Sequence, residues 1–450
     1  MAAEAEASAE TANWGKPARG LLRSPVTIVR QLRSHAARRM GWGVADQVVS
    51  SLTNFALSIY VVHTLGAVQF GAFSLAYVTY GFALNASRGL ATDPLMVRFS
   101  GVGAPAWRRA VARCTGTAAN TGLVIGACVL VAAAVMSGAA RGAFLALGLT
   151  LPVLLLQDSW RYSFFALGRG SQAFLNDSIW AVTLIPALLY LRRSGHADVF
   201  WYVFAWGLTA GIAAAAGPWQ ARVVPRLSGA WDWVSGQRDL GPRYLLEGTT
   251  VSASLQLRSY GIGFILGLAS LGAVQASATL FGPTTILFLG MSLVTIPEAA
   301  RVLRRSPRRL PLFCLLITAG LCAAGLAWGA ILLVAVPRGL GAWLLGPIWR
   351  STYPLLVPQT LFILGQGVGY GAGVGLHALG ASRRTLRLVL IYAVIYLTFT
   401  LGGAAVGGAV GTVWGAAVAP WCTGFYGWQQ LFVALRKSGK VPVGHRYWSS

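Results

Sequence analysis

The stretch YLLEGTTVSASLQLRSYGIGFILGLASLGAVQ, Tyr244–Gln275, decides the class of fold. Its apolar and small residues run far enough to cross a bilayer core of about 30 Å as one helix. Arg258 lies near the middle of this run. At helical spacing, the face of Arg258 also carries Glu247, Thr250 and Ser254. A charge at that depth costs on the order of 2.5 kcal/mol or more, so it is expected to face a partner or a water-filled cavity.

The stretch ends in a repeat. Its last five residues, LGAVQ at Leu271–Gln275, also occur at Leu65–Gln69, again after an apolar run that carries a polar stripe. The two copies are 206 residues apart, close to half of the 450-residue chain. We interpret the repeat as the mark of two similar halves, each of which opens with a polar helix.

The composition is typical of a polytopic membrane protein. The chain is 56% hydrophobic and 11% charged, whereas soluble domains carry roughly twice that charge. Its apolar runs predict an all-α fold with about twelve transmembrane helices in two six-helix halves. The predicted spans are 42–64, 70–90, 115–137, 142–166, 171–191, 198–218, 244–268, 273–296, 310–335, 353–379, 385–404 and 407–433.

The distribution of charge predicts the orientation. Of the 36 Lys and Arg residues, 28 fall in the tails and loops on one side of the predicted bundle and five on the other. By the positive-inside rule, both termini are cytoplasmic and the protein lies in the cell membrane. Anionic membrane lipids, and not nucleic acid, are then the expected partners of this charge. The predicted domains are a basic tail at 1–40, a six-helix lobe at 41–220, a cytoplasmic linker at 221–243, a second lobe at 244–435 and a cytoplasmic tail at 436–450.

A polar stripe runs along the first predicted span. Asp46, Ser50, Asn54 and Ser58 recur at every fourth residue and so share one face of a helix. The stripe either forms hydrogen bonds to neighbouring helices or lines an aqueous cavity. We take Asn54 as a candidate for substrate binding. Asp46 is a candidate for coupling, although it lies near the cytoplasmic end, where it could simply contact water.

Three further charges lie at the cytoplasmic ends of predicted spans. Arg88 shares a face with Asn85 at the end of the second span, where an Arg either extends to the interface or lines a cavity. Asp158 and Arg161 are three residues apart and can form an ion pair within one helix. That pair either closes the cytoplasmic side as a gate or contacts the substrate.

The tenth predicted span carries Gln359, Gln366, Tyr370 and His377 at near-heptad spacing. Gln366 is a candidate for substrate binding. His377 is either a proton relay or a histidine that is satisfied within the bundle.

Arg258 itself has two explanations. It is a structural partner of an acid, or it is the anion-binding group of a cavity. Glu247, a further candidate for coupling, is eleven residues away, about 16 Å along a helix, so the two cannot pair directly. Asp46 lies too close to the cytoplasmic end. The cavity explanation is therefore favoured, with Ser254 beside Arg258 on the same face.

Enzyme chemistry finds no support in the sequence. It contains no phosphate-binding loop of the Walker type and no His/Glu metal motif, so we predict no catalytic residues, metal or cofactor. The five cysteines have no metal-ligand spacing and are interpreted as small packing residues.

Several stretches resemble one family of transporters. LGAVQFGAFSLAYVTYGF at 65–82 resembles the first two helices of the Wzx-like polysaccharide flippases and MATE-like exporters of the MOP superfamily. LQDSWRYSFFALGRGSQAF at 156–174 resembles the junction of the fourth and fifth spans, and residues 345–384 resemble the tenth span. The likeness covers about residues 40–435.

This resemblance implies a fold and a function. The fold is V-shaped, with two lobes related by a pseudo-twofold axis. The function is to flip undecaprenyl-pyrophosphate-linked oligosaccharide outward for polysaccharide biosynthesis, by alternating access through a cationic central cavity. Arg258 and Arg88 suit such a cavity.

Two alternatives stay open. One is a cation-coupled small-molecule exporter of the MATE type, driven by H⁺ or Na⁺; the acid that this branch carries deeper in its first span is replaced here by the region of Ser58 and Tyr60. The other is a membrane-embedded glycosyltransferase or polymerase, which would need a large outward loop that this sequence lacks.

Overall fold

The described part of the chain is helical throughout. The structure, a computed structural model, describes residues 25–100, 102–196, 198–335 and 339–438. The long helices are α1 (Pro25–Ser87), α3 (Ala104–Val135), α4 (Gly138–Ala166), α5 (Gly170–Arg193), α6 (Val199–Ala221), α8 (Gly241–Leu280), α9 (Gly282–Arg305), α10 (Leu310–Ala330), α13 (Leu356–Ala378) and α14 (Ser382–Ser438). The short ones are α2 (Asp93–Arg98), α7 (Ala230–Gly236), α11 (Gly339–Leu345) and α12 (Trp349–Thr352), with single π or 3₁₀ turns at Arg88–Thr92, Leu227–Gly229, Pro307–Arg309, Ile331–Ala335, Gly346–Ile348 and Tyr353–Leu355.

Three of the long helices are bent at a glycine. Gly66 in α1, Gly267 in α8 and Gly408 in α14 have φ values of 76°, 80° and 60°, in a region that residues with a Cβ rarely adopt. Each kink divides its helix into two arms. The second arm of α8 continues into α9, and the short elements at 339–355 lead into α13, so the described helices form twelve long segments in two groups of six. The predicted fold class is confirmed.

Eight helices of the described ranges are long and apolar enough to cross a membrane by length and composition. Two of them, 41–98 and 383–436, each contain two of the twelve segments. The predicted boundary between the eleventh and twelfth spans, at 404–407, lies next to the kink at Gly408.

The tails extend the outer helices. Helix α1 begins at Pro25, inside the predicted tail at 1–40, and α14 ends at Ser438. The rest of both tails, residues 1–24 and 439–450, lies outside the described residues.

The two halves meet where α1 packs antiparallel against α8. A Cβ on Gly71 would overlap the carbonyl oxygen of Leu268, and a Cβ on Gly272 would overlap the carbonyl oxygen of Ala67. Glycine at both places therefore lets the two backbones touch. Eight residues after Gly71 on α1, the Thr79 hydroxyl lies 2.7 Å from the Tyr260 hydroxyl of α8.

These contacts correct the register of the internal repeat. The kinks at Gly66 and Gly267 are 201 residues apart, and so are the two contact glycines, Gly71 and Gly272. The LGAVQ copies, at an offset of 206, place Gly66 against Gly272 and are therefore not structurally equivalent. The inference of two similar halves is right, but the equivalence of the two LGAVQ segments is wrong, because the backbone geometry of the kinks sets the match.

The buried apolar residues show how the halves are arranged. One cluster joins both halves, and it includes Val61, Leu271 and Ile348 at the end of the bundle that holds the loops at 136–137 and 194–196. At the other end, which carries most of the basic loops and is called the basic end below, each half has its own cluster. One surrounds Trp107 and Trp160, and the other surrounds Leu310, Cys314 and Leu431. Apart from the contacts of α1 and the following π turn with α8, where Gly89 closely approaches the backbone of Leu245, the halves thus separate toward the basic end.

The predicted linker at 221–243 is folded against the first half. The Arg226 amide donates to the Ala112 carbonyl at 2.7 Å, and the indole of Trp233 donates to the Leu90 carbonyl at 3.2 Å. Arg98 contacts Gln237 at 2.7 Å and also pairs with Asp239. These hydrogen bonds and this ion pair attach the segment to the first half.

The glycine contact gives a first prediction. Gly71→Ala should lower the thermal unfolding midpoint of the purified protein in detergent, because the new methyl group meets the Leu268 backbone and overpacking costs about 1–3 kcal/mol. Gly81→Ala is the matched control, since it lies on the same arm with open space around it. It should leave the midpoint unchanged or raise it. Equal midpoints for the two variants would contradict the proposed contact.

Candidate functional site

A polar cavity of about 350 Å³ lies inside the first half of the protein, toward the basic end. The two arms of α1, helix α4 and helix α5 surround it. Its polar lining is Asp46, Gln47, Ser50, Asn54, Arg88, Gln157, Asp158 and Arg161. The stripe of the first span thus faces a cavity over the part from Asp46 to Asn54, while the Ser58 hydroxyl donates to the Asn54 carbonyl of its own helix.

Two ion pairs cross this cavity. Arg88 binds Asp158 with two hydrogen bonds, Nη2 to Oδ1 at 2.6 Å and Nε to Oδ2 at 3.0 Å. Arg161 donates from Nε to Asp46 Oδ2 at 2.6 Å and lies 3.4 Å from Asp177. Asp46 is fully buried and paired with Arg161, so it does not lie at an exposed helix end as its position in the sequence had suggested.

The predicted pair of Asp158 with Arg161 is therefore wrong. Three residues of spacing on one helix permit that pair, but Arg161 has a better partner on α1, and Asp158 has one in the π turn that follows α1. Arg88 meets Asp158 in the bidentate geometry that makes Arg–carboxylate pairs strong. Arg161 lies between the two acids Asp46 and Asp177.

Four polar residues that the sequence analysis missed, Gln157, Asn176, Asp177 and Gln220, extend this network. Gln157 donates from Nε2 to Asp177 Oδ1 at 2.7 Å and to Asn176 Oδ1 at 3.2 Å. Asn176 in turn donates to the Ala213 carbonyl at 2.8 Å and to Gln220 at 2.9 Å. Asn176 and Asp177 fall inside the fifth predicted span, so the rule that flags ionisable residues within spans would have found Asp177.

The charges of this cavity nearly balance. Three carboxylates, Asp46, Asp158 and Asp177, face the guanidinium groups of Arg88 and Arg161 among the residues that the structure describes there. One carboxylate oxygen, Asp46 Oδ1, is buried without a hydrogen-bond partner. The cavity is thus polar and is not strongly cationic.

Aromatic rings form the remaining wall. Tyr77, Tyr80, Tyr162, Phe165 and Trp180 line the cavity. Tyr162 packs under Arg88, whose Cζ lies 4.8 Å from the ring centroid. Rings beside hydrogen-bonding side chains offer both apolar faces and polar contacts to a ligand.

Arg258 lies in the second half, outside the lining of this cavity. Its Cζ is 5.7 Å from the centroid of the Tyr396 ring, and Tyr396 stacks on Tyr392. Its Nε is buried and has no hydrogen-bond partner. Among the side chains that the structure describes, no carboxylate lies within 4 Å of Arg258. Gln366 is half-buried on α13, and Tyr392 lies near both Gln366 and Arg258.

The other candidates are scattered. His377 is exposed at the end of α13 and is not among the cavity residues. The side chains of Glu247, Thr250 and Ser254 lie outside those that the structure describes. In the described ranges, no group of three or more His, Cys, Asp or Glu side chains is placed to hold a metal ion.

Charge reversal tests the observed pairing. Either Asp158→Arg or Arg88→Asp alone should destabilise the protein by about 3 kcal/mol or more, because a buried charge loses its partner. Together, the two substitutions should recover much of the loss. The control combination, Asp158→Arg with Arg161→Asp, should be worse than either single change, since it places like charges beside Arg88 and Asp46. Thermal unfolding in detergent measures the stability of all four variants. Recovery of stability by the control combination would contradict the observed pairing and would support a pair of Asp158 with Arg161 within α4.

Comparison with known proteins defines the fold. No family model matches the sequence, and no curated protein matches it. An inward-facing structure of a multidrug resistance MATE-family transporter of the MOP superfamily matches with a TM-score of 0.68 at 15% identity, over 89% of this chain and 99% of that one. An outward-facing MATE-family structure gives 0.52 at 16% identity, over 88% and 94%. The lipid II flippase MurJ in an inward closed conformation gives 0.63 at 10% identity, over 88% and 89%. The chain thus has the fold of MOP-superfamily transporters.

Proposed function

We propose that this protein is a membrane transporter that flips lipid-linked oligosaccharide, carried on undecaprenyl pyrophosphate, across the cell membrane. The observation that carries the proposal is Arg258, whose Nε is buried without a hydrogen-bond partner beside the ring of Tyr396. A guanidinium group within a membrane is costly unless something binds it. The oxygens of a diphosphate can accept charge-assisted hydrogen bonds from the planar guanidinium group of Arg.

The polar cavity of the first half suits the sugar part of this substrate. Asn54, Ser50 and Gln47 present amide and hydroxyl groups, while Tyr77 and Tyr80 present ring faces. Because Arg88 and Arg161 are already paired with acids, the cavity itself offers little net attraction for a diphosphate. The proposal therefore assigns the diphosphate to Arg258 and Gln366, and the sugar rings to the first half.

The fold supports transport by alternating access. The halves share a core at one end and separate at the basic end, and the TM-score is higher for the inward-facing MATE structure than for the outward-facing one. One structural neighbour is named as a lipid II flippase. The structural neighbours reported above are transporters or flippases, which favours transport over enzyme chemistry.

A second candidate is a cation-coupled exporter of the MATE type. Three buried carboxylates against two guanidinium groups leave one acid in excess, with Asp46 Oδ1 free of hydrogen bonds. An excess acid is the group that H⁺ or Na⁺ would need. The two candidates differ in the substrate that is transported. Transport assays with purified protein in proteoliposomes can distinguish them.

The substrate assignment is tested at Arg258. Arg258→Ala should slow transport of a fluorescent lipid-linked oligosaccharide in proteoliposomes by about tenfold or more, since a hydrogen bond to a charged group contributes about 1.5–3 kcal/mol. Arg258→Lys should retain part of the rate because it keeps the charge. Arg141→Ala, which removes an exposed charge at the opposite end, is the control and should transport normally. A wild-type rate for Arg258→Ala would remove Arg258 from the substrate site.

The proposed orientation has its own test. In a variant without the five native cysteines, Ser306→Cys should react with a membrane-impermeant maleimide only after the cells are opened. Ser194→Cys, at the exposed opposite end, should react in intact cells. The reverse pattern would place the basic end outside.

A further inference from the structure

An apolar groove of about 350 Å³ runs between the first arm of α1 and α5. Leu52 and Ala56 form one wall, and Ala181 and Ile185 form the other. Leu52 and Ile185 are 57% and 60% exposed, so the groove is open at the surface of the bundle. The two alanines leave notches between larger side chains, which gives the surface a channel instead of a ridge.

The groove continues toward the end opposite the basic loops. A second hollow of about 470 Å³ shares Ala56 and Tyr60 with it and extends to His63 and Trp343. Tyr60 donates its hydroxyl to the Leu188 carbonyl at 3.2 Å, so the ring presents its apolar face to the groove. From Leu52 to His63, the helix rises by about 16 Å.

The groove adjoins the polar cavity through the same two helices. On α1, Ser50 and Asn54 face the cavity, whereas Leu52 and Ala56, two residues further on in each case, face the groove. On α5, Trp180 lines the cavity and the next residue, Ala181, lines the groove. A polar compartment and an apolar one that opens to the membrane are thus separated by the thickness of one helix.

We propose that this α1–α5 groove binds the polyprenyl chain of the substrate while its sugar head group occupies the polar cavity. The inference rests on the proposed function and adds a binding site for the lipid part. Surrounding lipid is as apolar as the groove, so burial of the chain gains little hydrophobic free energy. The gain is one of effective concentration, because a tethered chain holds the head group beside its own site.

The alternative occupant is an ordinary phospholipid of the bilayer. Its head group stays in the interfacial layer, and it has no part that the polar cavity would select. The groove would then bind acyl chains without preference for a polyprenyl diphosphate.

Photocrosslinking distinguishes the two occupants. A benzophenone amino acid replaces Leu189, a groove residue that is 43% exposed, or Val131, a control that is 72% exposed on α3. Each lies four residues before the end of its helix, so the two probes sit at similar depth. The full-length protein is placed in vesicles of phosphatidylcholine and phosphatidylglycerol with a radiolabelled polyprenyl diphosphate that carries no sugar. We expect at least fivefold more crosslinking at Leu189, competed by unlabelled polyprenyl diphosphate and not by added phosphatidylglycerol.

A second variant checks the groove itself. Ala56→Trp should fill the notch and reduce the crosslinking at Leu189 at least fivefold, whereas Ala127→Trp, on the exposed face of α3, should not. Equal labelling at Leu189 and Val131, or competition by phosphatidylglycerol, would overturn the proposal. Because this assay measures chain binding without transport, a failure of the flippase assignment shows separately, as absent transport of lipid-linked oligosaccharide by the unmodified protein.

Discussion

The close approach of α1 and α8 is the constraint on which the rest of the structure depends. Gly71 and Gly272 each face a backbone carbonyl of the other helix, at a distance that excludes a Cβ. The kinks at Gly66 and Gly267 lie five residues before these glycines in both halves. The same local geometry thus occurs twice, facing itself, which is what a pseudo-twofold axis requires. It joins the halves along one seam and leaves them free to separate elsewhere.

The second constraint is the cost of charge inside a membrane. In the first half, that cost is met by mutual pairing, since Arg88 and Arg161 each bind an acid on a neighbouring segment. The Gln157 amide donates to Asp177 and Asn176, and the Asn176 amide donates to the Ala213 carbonyl, which ties α4 to α5 and α6. In the second half, Arg258 has an aromatic ring beside it and no described carboxylate. In the proposed function, the first half, whose charges are paired, therefore binds the sugar. The second half, where Arg258 has no described carboxylate beside it, binds the anion.

Sequence reasoning succeeded where a single helix decides the outcome. The apolar runs located the twelve segments, and the periodic stripe from Asp46 to Asn54 identified a cavity wall. It failed where partners come from distant segments. Spacing suggested that Asp158 pairs with Arg161, but their observed partners, Arg88 and Asp46, lie 70 and 115 residues away. Likewise, the two LGAVQ segments have the same sequence but are not structurally equivalent. The halves are related instead by the backbone geometry at the paired glycines.

The location of the ion pairs also limits how the protein can change conformation. Arg88, Asp158, Arg161, Asp46 and Asp177 all belong to the first half, so their pairs brace that half and do not join it to the other. The contacts between the halves are instead the glycine seam and the shared apolar core at the end opposite the basic loops. Opening that end would expose apolar side chains such as Val61, Leu271 and Ile348 and would leave the ion pairs intact. In an alternating-access cycle, the barrier between the two open states would therefore arise mainly from packing at this core, while the charged network keeps the cavity of the first half in one shape.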